Sequence, residues 1–246
     1  MSRACLEGFR NQRCHRRQHP PRRVRGQQPL RRWIRGEFDG PTGNKVNINC
    51  LTRPIRRDYE EFLVQVVYGP CTDYLSACVD APYLDFCRTM HGFSLVKERQ
   101  KIRQDASTKV LSCFKEIRAS PPRTQKAFDS WHSDTSKALI RIFRNASFLI
   151  FAGQSQKWIN ITFKNIFVCG ESRVPGFQAI YNFCHMPIDN IVLNQLKSRG
   201  VLLPPKAWSR WSYGEYYQFQ RRLRECCGGQ PLLNVEHQIW IDGRKS

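Results

Sequence analysis

The residues best suited to chemistry lie in the C-terminal half of the chain. The segment Gly153-Gln154-Ser155-Gln156-Lys157-Trp158-Ile159-Asn160-Ile161-Thr162-Phe163-Lys164 sets two lysines seven positions apart, two helical turns along nearly one face. Ser155 is of the type that caps a helix, and a helix opening there puts Lys157 in its first turn. The macrodipole opposes a cation at that position, and Trp158 and Ile161 add apolar cover. Both influences favour the free amine that a nucleophilic lysine requires. Further on, His185-Met186-Pro187-Ile188-Asp189 precedes an apolar run. Pro187 suits the first turn of a helix, and Asp189 then sits where the dipole favours an ionised carboxylate. Plainer roles are open to all three residues: a solvated face for the lysines, helix-start stabilisation alone for Asp189.

Other chemistries lack their motifs. There is no glycine-rich phosphate loop, no His-Glu-x-x-His and no Gly-x-Ser-x-Gly. The eleven cysteines include no Cys-x-x-Cys pair; Cys71, Cys78 and Cys87 are widely spaced, and Cys226 and Cys227 are adjacent. That pattern argues against a zinc ribbon and for scattered reduced thiols in a cytoplasmic protein. Cys71, Cys78, Cys87 and His91 around a metal is the sharper alternative, but no metal or cofactor is expected.

The charge identifies the class of partner. Of 246 residues, 40 are Lys or Arg and 20 are Asp or Glu, a formal charge of +20. Such an excess favours nucleic acid, DNA first, and an anionic membrane surface second. No apolar run has the roughly 18 residues a membrane span needs, which excludes an integral membrane protein, and nucleic acid rather than a membrane is the expected partner. Residues 1–36 hold eleven Arg, no Lys and one acid, Glu7. The arm reads as disordered: a nucleic-acid-binding tail, a targeting peptide or an upstream extension from a misplaced start. Residues 37–50 read as a linker and 51–246 as one helical domain. The oligomeric state is left open.

The elements that must carry the candidate site follow from helical periodicity. Residues 97–118 repeat Ile102, Ala106, Val110, Cys113, Phe114 and Ile117 at helical spacing, and Ser120-Pro121-Pro122 ends the run. A second helix opens at Thr124 or Asp129, a third spans about Ser155 to Val168, and a fourth runs from Pro187 to Arg199 with Gly200 as its stop. Two more cover 213–225 and Leu232–Ile241. Residues 59–71 fit a short helix or a buried strand, and Pro82 splits 72–90 into two short helical pieces. The expectation is an all-α, single compact multi-helical domain of seven to ten helices.

The Gln156-Lys157 pair, Lys164 seven residues on and Pro187-Ile188-Asp189 opening an apolar helix resemble the helix-hairpin-helix DNA glycosylases. The likeness is closest to the archaeal 8-oxoguanine DNA glycosylase/lyase branch, which the interval of 32 residues between Lys157 and Asp189 fits. It covers about residues 124–246, including the ending from Pro231 to Arg244. The Pro-Gly-x-Gly hairpin and the four-cysteine iron–sulfur loop of those relatives are absent. The chain also resembles uncharacterised bacterial proteins that share a Gly-Gln-x-Gln-Lys-Trp segment. The glycosylase resemblance implies a DNA-glycosylase-like fold and base-excision chemistry. Lys157 would attack the sugar C1′ of a flipped nucleotide to form a Schiff base, and Asp189 would stabilise charge on the sugar. Gln154, Lys164, Trp131 and Trp211 would contact substrate, with Phe163 a further stacking candidate. The alternative is a non-catalytic nucleic-acid-binding or interaction protein of a phage or mobile element.

Overall fold

A computed structural model describes residues 56–245, and the arm and linker expected over 1–50 lie outside them. The described residues are helical and contain no strand. The described residues form nine α-helices: α1 (Arg56–Tyr68), α2 (Tyr74–Asp80), α3 (Tyr83–Cys87), α4 (Arg99–Ala119), α5 (Gln125–Asn145), α6 (Ala152–Cys169), α7 (Asn190–Ser198), α8 (Tyr213–Cys226) and α9 (Leu232–Lys245). Short 3₁₀ turns lie at Phe93–Leu95, Gln178–Phe183 and Trp208–Arg210. Among these residues no helix is long and apolar enough to cross a membrane.

The chain builds two adjoining apolar clusters. The larger one joins α2, α3, α4 and α5 to one side of α6 through Phe86, Phe114, Phe128, Phe143, Trp158 and Phe163. The smaller one holds α7, α8 and α9 together through Val192, Leu196, Trp211, Phe219 and Leu232. Helix α6 runs between them and is covered on almost every side, as an element at the centre of a fold must be. Its less buried positions include Lys157, Ile161, Lys164 and Val168, which recur at helical spacing as one stripe. The two lysines therefore sit where α6 reaches its surface.

Several helix ends follow the sequence reading. Thr124 Oγ1 accepts the Ala127 N–H, so α5 opens at Thr124 and Asp129 becomes an interior, buried residue. Ser212 and Glu215 exchange bonds across the first turn of α8. Gly200, at φ 82°, follows α7 in the left-handed region that glycine tolerates best.

Two starts differ from expectation, both at the candidate site. Helix α6 begins at Ala152, not Ser155, because the Phe151 N–H is satisfied by Gln154 Oε1 at 3.0 Å. Ser155 is then a buried helical residue whose hydroxyl meets Ser136 at 2.6 Å and donates to the Ala152 carbonyl. Lys157 is the sixth residue of α6, beyond the first turn where the dipole acts. Helix α7 begins at Asn190, not Pro187. Asp189 is its N-cap: extended in backbone, it accepts the Val192 N–H at 3.0 Å. A carboxylate as cap satisfies an end donor that Pro187 could not, so Pro187 stays outside the helix.

Candidate functional site

Lys157 and Asp189 come together. Lys157 Nζ lies 3.8 Å from Asp189 Oδ2, with the side chains 13% and 23% exposed. Both line an open cavity of about 580 Å³ whose wall includes Asn190, Pro204, Lys206 and Trp208. That volume lies within the roughly 300–1,000 Å³ of small-molecule sites. Trp208 forms an aromatic wall, with Lys157 Nζ 5.8 Å from its ring centre. Its indole N–H donates to Asn190 Oδ1 at 2.8 Å, fixing the ring against the start of α7. Arg88, His91 and Lys206 supply further basic groups to the wall.

The segment around Lys157 shows how each residue builds this mouth. Gly153 lets the 208–211 loop dock: an added Cβ would stand 1.7 Å from the Trp208 carbonyl oxygen. Its N–H donates to the Trp211 carbonyl at 3.1 Å, seating that loop on α6. Gln154 caps the helix through Oε1 and donates from Nε2 to the Thr89 carbonyl at 2.7 Å. Gln156 holds the other side. It donates to the Ile188 carbonyl at 2.9 Å and accepts the Ile188 N–H at 3.2 Å. That pair of bonds locks the backbone just before Asp189 to the residue just before Lys157. Trp158 faces the core and bonds the Val79 carbonyl.

The other expected contact residues have different surroundings. Lys164 pairs with Glu236 at 2.8 Å and lies 5.1 Å from the Trp240 ring centre, outside the cavity wall. Gln154 has both ends of its amide occupied within the fold. Trp131 packs against Phe114, Phe128 and Phe163, away from the cavity, and Phe163 is fully buried. Trp211 does back the cavity, but it is 1% exposed and its N–H is taken by the Lys206 carbonyl. Among the described residues no group of His, Cys, Asp and Glu could hold a metal, and Cys78 faces Cys169 rather than Cys71 and Cys87.

Sequence reasoning missed a second polar assembly beneath the cleft. Asn160, one turn beyond Gln156, donates to Gln156 Oε1 at 2.9 Å and to the Tyr216 hydroxyl at 2.8 Å. That hydroxyl meets His185 Nδ1 at 2.7 Å, and His185 Nε2 meets Asp129 Oδ1 at 2.7 Å. Gln125 and Arg224 also donate to that carboxylate oxygen. Donors and acceptors then match along the row, with the His185 Nε2–H on the carboxylate and the Tyr216 O–H on Nδ1. Burial pulls His185 down to about 4, against the favourable bond to Asp129. His132, whose ring centre lies 4.5 Å from that of His185, is held well below the usual histidine range by burial and by its neighbour. Burial pushes Asp129 up, but His185, Gln125 and Arg224 outweigh it and hold the carboxyl below its ordinary value. The available clue was polar residues at core spacing, Asp129 with His132 and Gln156 with Asn160. One-dimensional spacing does not reveal that the two pairs meet.

Comparison with protein-family models, with curated proteins and with solved structures gives no match for this chain.

Proposed function

We propose that the protein binds DNA and acts as a base-excision DNA glycosylase/AP lyase, with Lys157 as the nucleophile. The observation that carries this reading is the pairing of Lys157 with Asp189 in one cavity, from two elements tied together by Gln156. An amine and a carboxylate so placed can serve one sugar: the amine attacks C1′ as the base departs, and the carboxylate offsets developing positive charge. Trp208 offers a face for an extruded base, and the net charge of +20 suits a phosphate backbone. The non-catalytic reading is favoured by one feature: the Lys157–Asp189 pair, with Asp189 also capping α7, is satisfied without a ligand.

Borohydride trapping separates the two readings. The full-length protein is incubated with duplexes carrying 8-oxoguanine, uracil or an abasic site, then reduced. A covalent protein–DNA adduct whose linked peptide contains Lys157 is the expected result. Tight DNA binding with no adduct on any of the three would establish the binder instead.

A further inference from the structure

Far along α6 from Lys157, two thiols join that helix to α2. Cys78 is fully buried within α2, and Cys169, the last residue of α6, is 1% exposed. Their sulfurs are 3.5 Å apart across 91 residues of sequence. A disulfide spans roughly 2.0 Å, so closure asks for a shift of about 1.5 Å. The two backbones are held in place around them. The Trp158 indole N–H donates to the Val79 carbonyl at 2.7 Å, and Asn165 donates to the Cys78 carbonyl at 3.4 Å.

The surroundings make the two sulfurs unequal. The sulfur contact with Cys78 is the main influence holding the Cys169 thiol down, to about 7. Tyr68 and the charge of Arg173 act in the same direction, and burial acts against them. The same contact, together with burial, pushes Cys78 far up. Cys169 thus has the greater thiolate character of the two, the asymmetry that thiol exchange uses. Cys169 ends its helix at Gly170, and helix ends open more readily than helix interiors, so the exchange requires only a local opening there.

We propose that Cys78 and Cys169 form a reversible dithiol–disulfide couple that exchanges with small disulfides of the oxidised-glutathione class. The Cys169 thiolate attacks one sulfur of the reagent, forms a mixed disulfide and releases one thiolate. Cys78 loses its proton to solvent and attacks Cys169 Sγ. The sulfur–sulfur bond forms as the second reagent thiolate leaves. The protein loses two electrons and two protons, and one disulfide reagent becomes two thiols. The link ties α2 to α6, and closing a loop of this length constrains the unfolded chain.

The test uses the full chain, incubated with oxidised glutathione, alkylated at remaining thiols and digested. The expected result is a Cys78–Cys169 linked peptide as the main intramolecular product. It should be accompanied by a melting temperature higher by roughly 10 °C. Both changes should reverse in dithiothreitol. Cys78→Ala, checked for native circular dichroism, should instead stop at the glutathione adduct on Cys169. If Cys78→Ala does not fold, peptide mapping of the wild-type chain decides alone. Alkylation of both residues after prolonged oxidation overturns the proposal, as does linkage of Cys169 to Cys71 or any other partner in place of Cys78.

Discussion

Two acid–base pairs lie within a few turns of each other and differ in what surrounds them. Lys157 and Asp189 stand 3.8 Å apart at the rim of a cavity, partly exposed. His185 and Asp129 stand 2.7 Å apart in the interior, with the histidine fully buried. The buried pair is held by several partners: Tyr216 bonds the second imidazole nitrogen, and Gln125 and Arg224 join His185 on the same carboxylate oxygen, Asp129 Oδ1. The rim pair has fewer partners: Asp189 Oδ1 caps α7, Oδ2 lies 3.8 Å from Lys157 Nζ, and both side chains line the cavity. A buried pair with several partners gives uniqueness to the packing, whereas a pair beside a cavity has room for a ligand. Similar side chains thus hold the interior in one place and line an open cavity in the other.

If that contrast is right, substitutions should split cleanly between the two regions. The largest expected effect is on covalent capture. Lys157→Gln should reduce borohydride trapping to background while DNA affinity, measured by fluorescence anisotropy, stays nearly unchanged, because one charge among many is a small loss. Undiminished trapping in the purified variant would assign the nucleophile elsewhere. Next, Asp189→Asn should slow base release by roughly 100-fold, read in single-turnover assays.

Effects on the buried pair should appear in stability. His185→Ala removes a partner from both Asp129 and Tyr216 and should cost about 3 kcal/mol in urea unfolding. A loss below about 1 kcal/mol would mean that water replaces the imidazole. The same histidine predicts a pH dependence. Its folded pKa of about 4 lies below the ordinary value near 6.5, so the unfolded chain takes up the proton first as pH falls. Stability from this group is complete above about pH 6.5 and is lost progressively towards pH 4, on the order of 3 kcal/mol in all. His132, shifted in the same direction, steepens the loss. A flat unfolding free energy between pH 7 and 4 would contradict the assignment. The smallest expected change is in the stability of Asp189→Asn. Asparagine caps a helix about as well as aspartate, so the shift should stay within about 0.5 kcal/mol. A larger loss would show that the Lys157 contact, not the cap, holds α7 in place.

The elements were legible where periodicity and punctuation agree. Apolar spacing from Ile102 to Ile117 with Pro121-Pro122 behind it specifies α4 within two residues at either end, and Pro82 divides α2 from α3 as expected. Lys157 and Asp189 could be singled out by type and spacing, although the helix starts read around them, Ser155 and Pro187, were each displaced by three residues. Their surroundings could not. The start of α6 moved to Ala152 because Gln154 turns back on its own helix and Gly153 receives a distant carbonyl loop, contacts that need the folded chain. Trp208 became the aromatic wall, while Trp131 and Phe163 went to the core, since which face of a helix meets which neighbour is set by packing. Gln156 shows the division most plainly. By sequence it is one polar residue in a motif, and by structure it is the clamp on Ile188 that sets Asp189 beside Lys157. Local propensity and spacing act over a few residues and were present in the sequence. The meeting of residues 156 and 188 depends on buried hydrogen bonds that only the collapsed core makes worth forming.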